Sequence, residues 1–302
     1  MTVGDEVVRA ADLLGSPVVA AAAARWGFTN RTTLATLADG RRLAVQRLAD
    51  RGAARRRLRL APPLAVRLAA AGVPTAPLLG GDAGATPSYV VHAAVDGANG
   101  AEWLTSERGA VRLARLMGAL AAPLAAVDAR GLRLPATWAD PGRLARASRA
   151  RLARSSPRLG AASVRALQAA IEKLEPLFAG RRPVFAHGDF APVNVLIARR
   201  ASGRGWAVAA LLDLEWARLA DPLFDVAWWG WVVRFHHPER WPTAWPAFLA
   251  AAGAAGEVAH GPAAFAARIR TLQLLRLLEL ADRSRGRAAA EWAARLESAV
   301  RW

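Results

Sequence analysis

The chain has 302 residues, no cysteine and 54% hydrophobic content. That length supports one large or two modest domains with true cores, and the lack of cysteine excludes disulfides, thiolate metal sites and a cysteine nucleophile. The formal charge of +17 invites a nucleic-acid partner, yet Lys173 is the only lysine and the excess is arginine scattered among alanines. No zinc-finger spacing and no RNA-recognition aromatic motif accompanies the charge, which argues against nucleic acid and leaves attraction of an anionic nucleotide as its use. No apolar run approaches the ~18 residues of a spanning helix, and Asp5 and Glu6 precede the first apolar turn, unlike a signal peptide. A soluble, cytoplasmic protein with no membrane partner is expected.

In chain order, Val7–Leu14 has helical apolar spacing and breaks at Gly15-Ser16-Pro17; Val18–Ala24 is apolar but too short to span. Trp26–Thr32 is a small-residue loop, followed by a strand at Thr33–Leu37, a hairpin signal at Asp39-Gly40 and a returning strand at Arg42–Leu48. Arg51–Arg59 holds five arginines and reads as a solvated loop or helix face. A helix is expected around Leu64–Ala71, ended by the Gly72-Val73-Pro74 segment, with a loop at Gly80–Pro87 and a strand at Tyr89–Val95. Beyond it the pattern turns helical: Val111–Val127 with Pro123 kinking or ending it, Gly142–Ser155, and Val164–Phe178 stopped by Gly180. After Asp225 come seven aromatics from Trp228 to Phe248, then apolar Arg268–Leu280 and amphipathic Glu291–Val300.

Between these helical regions lies the informative stretch, Phe185 to Asp225. It contains His187-Gly188-Asp189, then Asn194, then Leu212-Asp213-Leu214-Glu215, and finally Asp221-Pro222 and Asp225. Val195–Ala198 and Ala207–Leu212 read as buried strands joined through Ser202–Gly205. In a regular hairpin Asn194 and Asp213 would face each other at the open end, with Asp189 just upstream. One amide and two carboxylates then converge on one spot. Hard cations such as Mg²⁺ take such oxygen ligands together with substrate phosphates, and a loop carboxylate beside them can accept a hydroxyl proton.

His187-Gly188-Asp189 with Asn194 five residues after the aspartate resembles the catalytic loop of the aminoglycoside phosphotransferase / choline kinase superfamily, relatives of protein kinases. Leu212–Glu215 with Asp221-Pro222 and Asp225 is similar to that family's second metal motif and downstream signature. Each motif alone is weak, but the two in this order about twenty residues apart are specific. The resemblance implies an α+β, two-lobed protein kinase-like fold. Residues 1–92 would form an antiparallel-sheet N-lobe, and 93–302 a larger, mainly helical C-lobe. It implies a phosphotransferase moving the γ-phosphoryl of ATP or GTP to a hydroxyl of an aminoglycoside-, choline- or sugar-like small molecule. Asp189 would be the catalytic base, Asn194 and Asp213 the Mg²⁺ ligands, and Glu215 either an aid to a second metal or a hydrogen-bonding neighbour. His187 and Asp225 would be structural.

By the same resemblance Thr29 and Asn30 lie in the phosphate-covering loop, the hinge backbone near His92 and Ala94 meets the purine edge, and the late aromatics wall the acceptor pocket. A kinase lysine on the third strand pairs with a glutamate of the next helix. Here Arg47 stands in the lysine's place, and no glutamate occurs between Glu6 and Glu102. Guanidinium can bind the α/β-phosphates bidentately, but the partner is missing. Asp128 follows Val127 where the family often has histidine. The absent glutamate supports a second reading, a nucleotide-binding pseudokinase. The charge alone supports a third, a basic nucleic-acid-binding protein, which steeply salt-dependent binding to unrelated DNAs would test.

Overall fold

The computed structural model describes residues 4–25, 31–48, 50–254 and 261–302. By packing, the chain divides into two compact units. The first comprises 1–103, 130–133 and 192–215; the second comprises 104–129, 134–191 and 216–302. By packing, 192–215, which carries Asn194 and Asp213, groups with 1–103. Thr29 and Asn30 lie outside the described residues.

The first unit is built on a five-stranded antiparallel sheet in the order β1-β2-β3-β5-β4. Its strands are β1 (Val18–Ala23), β2 (Arg31–Leu37), β3 (Arg42–Leu48), β4 (Leu78–Asp82) and β5 (Ser88–Ala93). The apolar run at 18–23 is thus an edge strand, and the strand β4 continues through Gly80 and Gly81, where a loop is expected from sequence. Helix α1 (Asp5–Leu14) buries Val7, Ala10 and Ala11 against Leu43, Val45, Tyr89 and Val91. Strand alternation turns Leu48 and Val90 to the other face, where they meet Ala54 of α2 (Arg51–Ala70).

Helix α2 starts earlier than its apolar spacing suggests. Asp50 caps it, accepting from the Gly52 and Ala53 amides, and the helix continues through Pro62 and Pro63. The arginine cluster is therefore helical. A second, three-stranded sheet orders β6 (Ala98–Asn99), β8 (Val195–Arg199) and β9 (Trp206–Leu211) as β6-β8-β9. It is tied to the rest of the unit by the Leu211 amide donating to the Pro74 carbonyl at 2.8 Å.

The second unit is helical: α3 (Glu107–Ala125), α4 (Pro141–Ser155), α5 (Ala161–Glu172), α6 (Leu174–Phe178), α7 (Phe224–His236), α8 (Trp241–Ala251), α9 (Pro262–Arg283) and α10 (Gly286–Val300). A short antiparallel pair, β7 (Val184–Ala186) with β10 (Arg218–Ala220), completes it. Pro123 sits inside the last turn of α3 without ending it. Helices α3 and α8 pack closely because position 118 is glycine; a Cβ there would lie 2.4 Å from the Phe248 carbonyl oxygen. Trp229 and Phe248 stack at 4.1 Å between ring centres and are fully buried, so much of the aromatic run serves the core. No helix among the described residues is long and apolar enough to cross a membrane.

Candidate active site

The sequence-predicted site residues divide between the units: Asp189 belongs to the helical one, Asn194 and Asp213 to the sheet-bearing one. In the helical unit, β7 delivers the chain to His187, whose ring is buried. Asp225, at the start of α7, accepts from the His187 amide at 2.7 Å and the Gly188 amide at 3.0 Å, and the Asp189 amide donates to His187 Nδ1 at 3.1 Å. Burial pushes the Asp225 carboxyl above its usual range, against the pull of His187 and these two amides. The loop is thus fixed by His187 and Asp225. Gly188 has φ +83°, and a Cβ there would stand 2.0 Å from the Trp216 carbonyl oxygen, so only glycine fits.

Asp189 is half-buried, and its Oδ1 accepts the indole N–H of Trp228 at 2.7 Å. The carbonyl of Gly188 accepts from Arg276 Nη2 at 3.1 Å. Arg276 belongs to a buried set centred on Glu279: Oε2 accepts from Arg218 at 2.8 Å and from Arg276 at 2.6 Å, and Oε1 from Arg151 at 3.1 Å. Arg268 donates to both oxygens of Asp221 at 2.8 Å. Burial favours the neutral Glu279 carboxyl, but the three guanidinium groups outweigh it and hold the group well below its ordinary value. Arg218 is lowered to about 10, first by burial and then by the neighbouring Arg276 charge. The apolar pattern of Arg268–Leu280 does not announce this network; its signal is Arg268, Arg276 and Glu279 in a helix rich in leucine.

In the other unit, the hairpin register departs from symmetry. Val195 pairs with Leu211, and a bulge shifts the register between Leu196 and Ile197. The pairing of Arg199 with Trp206 centres the hairpin between Ser202 and Gly203. Even with the residue added at the bulge, the Leu212 amide donates to the Asn194 carbonyl at 2.8 Å, so Leu212 stands opposite Asn194 and Asp213 lies one residue beyond. Asp213 has φ +60°, the one positive φ outside glycine among the described residues. Such a conformation costs about 1–3 kcal/mol and is found where a side chain must be aimed. Asn99, a buried residue that the sequence does not single out, donates to the Val193 carbonyl at 2.8 Å and so fixes the approach to Asn194.

The carboxylates of Asp213 and Glu215 share one cationic partner. Arg57 of α2 places Nη2 at 2.9 Å from Asp213 Oδ1 and 2.5 Å from Glu215 Oε2, while its Nη1 donates to Gln46 Oε1 of β3. The oxygens of Asp213 and Glu215 thus close on one point of positive charge. Carboxylate oxygens are the kind of ligand that hard divalent cations take. No cluster of three or more histidine, cysteine, aspartate or glutamate side chains suited to a metal occurs among the described residues.

Arg47 is exposed on β3. Alternation puts it on the face of Leu43 and Val45, whereas Gln46 addresses α2. The strand position that meets the following helix is therefore Gln46, and Arg47 takes no support from its place for a phosphate role. Near the expected hinge, the Ala94 amide already donates to the Arg42 carbonyl at 2.9 Å. The half-buried His92 ring contacts the Ala76 carbonyl at 3.3 Å, and burial lowers its pKa.

Known proteins share this arrangement of elements. The description of the phosphotransferase enzyme family (APH) matches residues 21–268, most of the chain. The chain belongs to this family. Among solved structures, this family member is similar to the GDP complex of wild-type aminoglycoside 2'-phosphotransferase-IIIa, with a TM-score of 0.70 and 14% identity over 99% of both chains. Macrolide 2'-phosphotransferase type I gives 0.70 and 16% over 98% of this chain and 99% of its own. A putative fructosamine-3-kinase from Thermobifida fusca YX-ER1 gives 0.59 and 20% over the whole of both. At these identities the likeness establishes the fold, and the expected α+β kinase-like class is borne out. No curated protein matches the sequence.

Proposed function

We propose that this phosphotransferase-family protein transfers the γ-phosphoryl group of ATP or GTP to a hydroxyl of a small molecule. The observation that carries the proposal is Asp189, a half-buried carboxylate at the tip of a loop locked by Asp225 and pinned by Trp228. The indole N–H orients the carboxylate, which would position the acceptor hydroxyl and take its proton as the P–O bond forms. The bond from the γ-phosphorus to the bridging oxygen breaks, and the nucleoside diphosphate leaves. Asn194 and Asp213, with Glu215 beside them, would hold Mg²⁺, which supplies charge neutralisation for the phosphates.

The acceptor is a hydroxyl-bearing compound of aminoglycoside, amino-alcohol, sugar or macrolide type. The neighbouring structures support that range: one is an aminoglycoside enzyme with GDP, another a macrolide phosphotransferase. A polycationic acceptor is the least favoured, because the chain carries +17.

The first test is a thermal-shift titration with ATP and GTP, each with and without Mg²⁺, on the wild type and Asp213→Ala. A ligand at a hundred times its Kd stabilises the native state by about 2.7 kcal/mol, so a metal-dependent rise in Tm is expected with the wild type and not with the variant. No shift with either nucleotide would overturn the proposal in favour of a degenerate relative. A subtler expectation concerns Trp228→Phe. It keeps the ring and removes a hydrogen bond to a charged group, worth about 1.5–3 kcal/mol. Once an acceptor is identified, kcat/KM should fall roughly 10- to 100-fold, and unchanged kinetics would show that the indole does not hold Asp189.

A further inference from the structure

The helix that would supply an acidic partner to β3 supplies a cation instead. Helix α2 contains no aspartate or glutamate, and its Arg57 reaches the two carboxylates best placed to hold a divalent ion. The contact is well built. The Arg57 side chain is 11% exposed, against 26% for Asp213 and 21% for Glu215, so the pair bonds are shielded from bulk water. Gln46 holds the other end of the guanidinium, and the helix is anchored by its Asp50 cap and by Ala54 against the sheet. Two neighbouring carboxylates repel one another unless a positive charge stands between them. In this state that charge is Arg57 Nη2.

We infer that Arg57 is a resident competitor of the divalent cation: it holds Asp213 and Glu215 closed, and a metal ion binds only as Arg57 gives up those contacts. The inference rests on the reading of Asp213 as a metal ligand. Its consequence is that the nucleotide-free protein binds divalent ions weakly. Nucleotide phosphates offer the released guanidinium an anionic partner of matching fork geometry, so nucleotide and metal bind cooperatively.

The test uses Mn²⁺ alone on the full-length, nucleotide-free chain, with free Mn²⁺ read by electron paramagnetic resonance. Arg57→Gln should bind Mn²⁺ about tenfold more tightly than the wild type, a gain of about 1.4 kcal/mol. Adding Asp213→Asn to that variant should abolish the gain. Equal or weaker Mn²⁺ binding by a folded Arg57→Gln, with Asp213→Asn still lowering binding, overturns the inference and leaves the metal assignment standing. Binding indifferent to Asp213→Asn overturns both. Should Arg57→Gln fail to fold, the wild type serves alone, through nitrogen NMR of its guanidinium groups during Mg²⁺ titration. Hindered rotation of the Arg57 group should be released as metal binds, and a group that stays locked at saturation overturns the inference.

Discussion

Asp189→Ala is expected to lower kcat by at least about 10³-fold, within the span of a general base that both positions and deprotonates its substrate, while nucleotide affinity changes little. The variant removes the acceptor of the Trp228 N–H and the proposed proton acceptor together, but leaves the bonds that hold the loop. Asp225 still takes the His187 and Gly188 amides, and Gly188 still fits beneath the Trp216 carbonyl. The fold should therefore survive. The measurement is single-turnover phosphate transfer beside a nucleotide-dependent Tm shift. If turnover and nucleotide binding fall together, Asp189 acts through structure, and the assignment as base is lost. If turnover survives, another group takes the proton.

The largest stability effect is expected from Glu279→Ala. Its carboxylate is the common partner of Arg151, Arg218 and Arg276, and it is almost wholly buried. Breaking a buried ion pair by removing one partner costs about 3–5 kcal/mol, because the surviving charge keeps its desolvation penalty. Here three buried guanidinium groups would be left, beside the exposed Arg283, so a loss at the upper end of that span is expected from a total of about 5–15 kcal/mol. Arg276 also holds the Gly188 carbonyl, which means that disorder in this set reaches the loop of Asp189. Urea unfolding at constant pH measures it, and a midpoint near that of the wild type would show that solvent or rearranged partners compensate the arginines.

The pH dependence follows from the sign of the shift. The native Glu279 carboxyl lies well below its ordinary value of 4.5. Its contribution is thus complete above the unfolded-state pKa and shrinks only as pH falls below it toward the native one. The gap between wild type and Glu279→Gln should be constant from neutral pH down to about 5 and narrow in stronger acid. A gap that instead widens in acid would mean that the carboxyl is protonated in the native protein.

The local features were legible in the sequence because their signals are local. Asp39-Gly40 announces a tight turn, and the alternation of Leu43 and Val45 announces a half-buried strand. His187-Gly188-Asp189 and Leu212–Glu215 carry a family pattern in which the glycine and the acids are needed at fixed spacing. Even where local reading erred, as in the start of α2, a capping aspartate at position 50 was present to be read.

What lay beyond the sequence were the pairings between residues far apart in it. Leu212, not Asp213, stands opposite Asn194 because the hairpin is centred between Ser202 and Gly203, one residue earlier than a count about Gly203-Arg204 assumes, and the bulge at Leu196–Ile197 recovers only part of the offset. Five arginines between positions 51 and 59 look alike in composition, and only the phase of α2 against β3 selects Arg57 to meet Asp213, 156 residues away. Trp228 is likewise one of several aromatics until the start of α7 aims its N–H at Asp189. By itself, the sequence determined the family, the order of elements and the acids of the candidate site, because turn chemistry, strand alternation and motif spacing act within a few residues. Only the tertiary structure decided which cation each of those acids meets. Long arginine side chains reach several partners from one backbone position, and packing alone chooses among them.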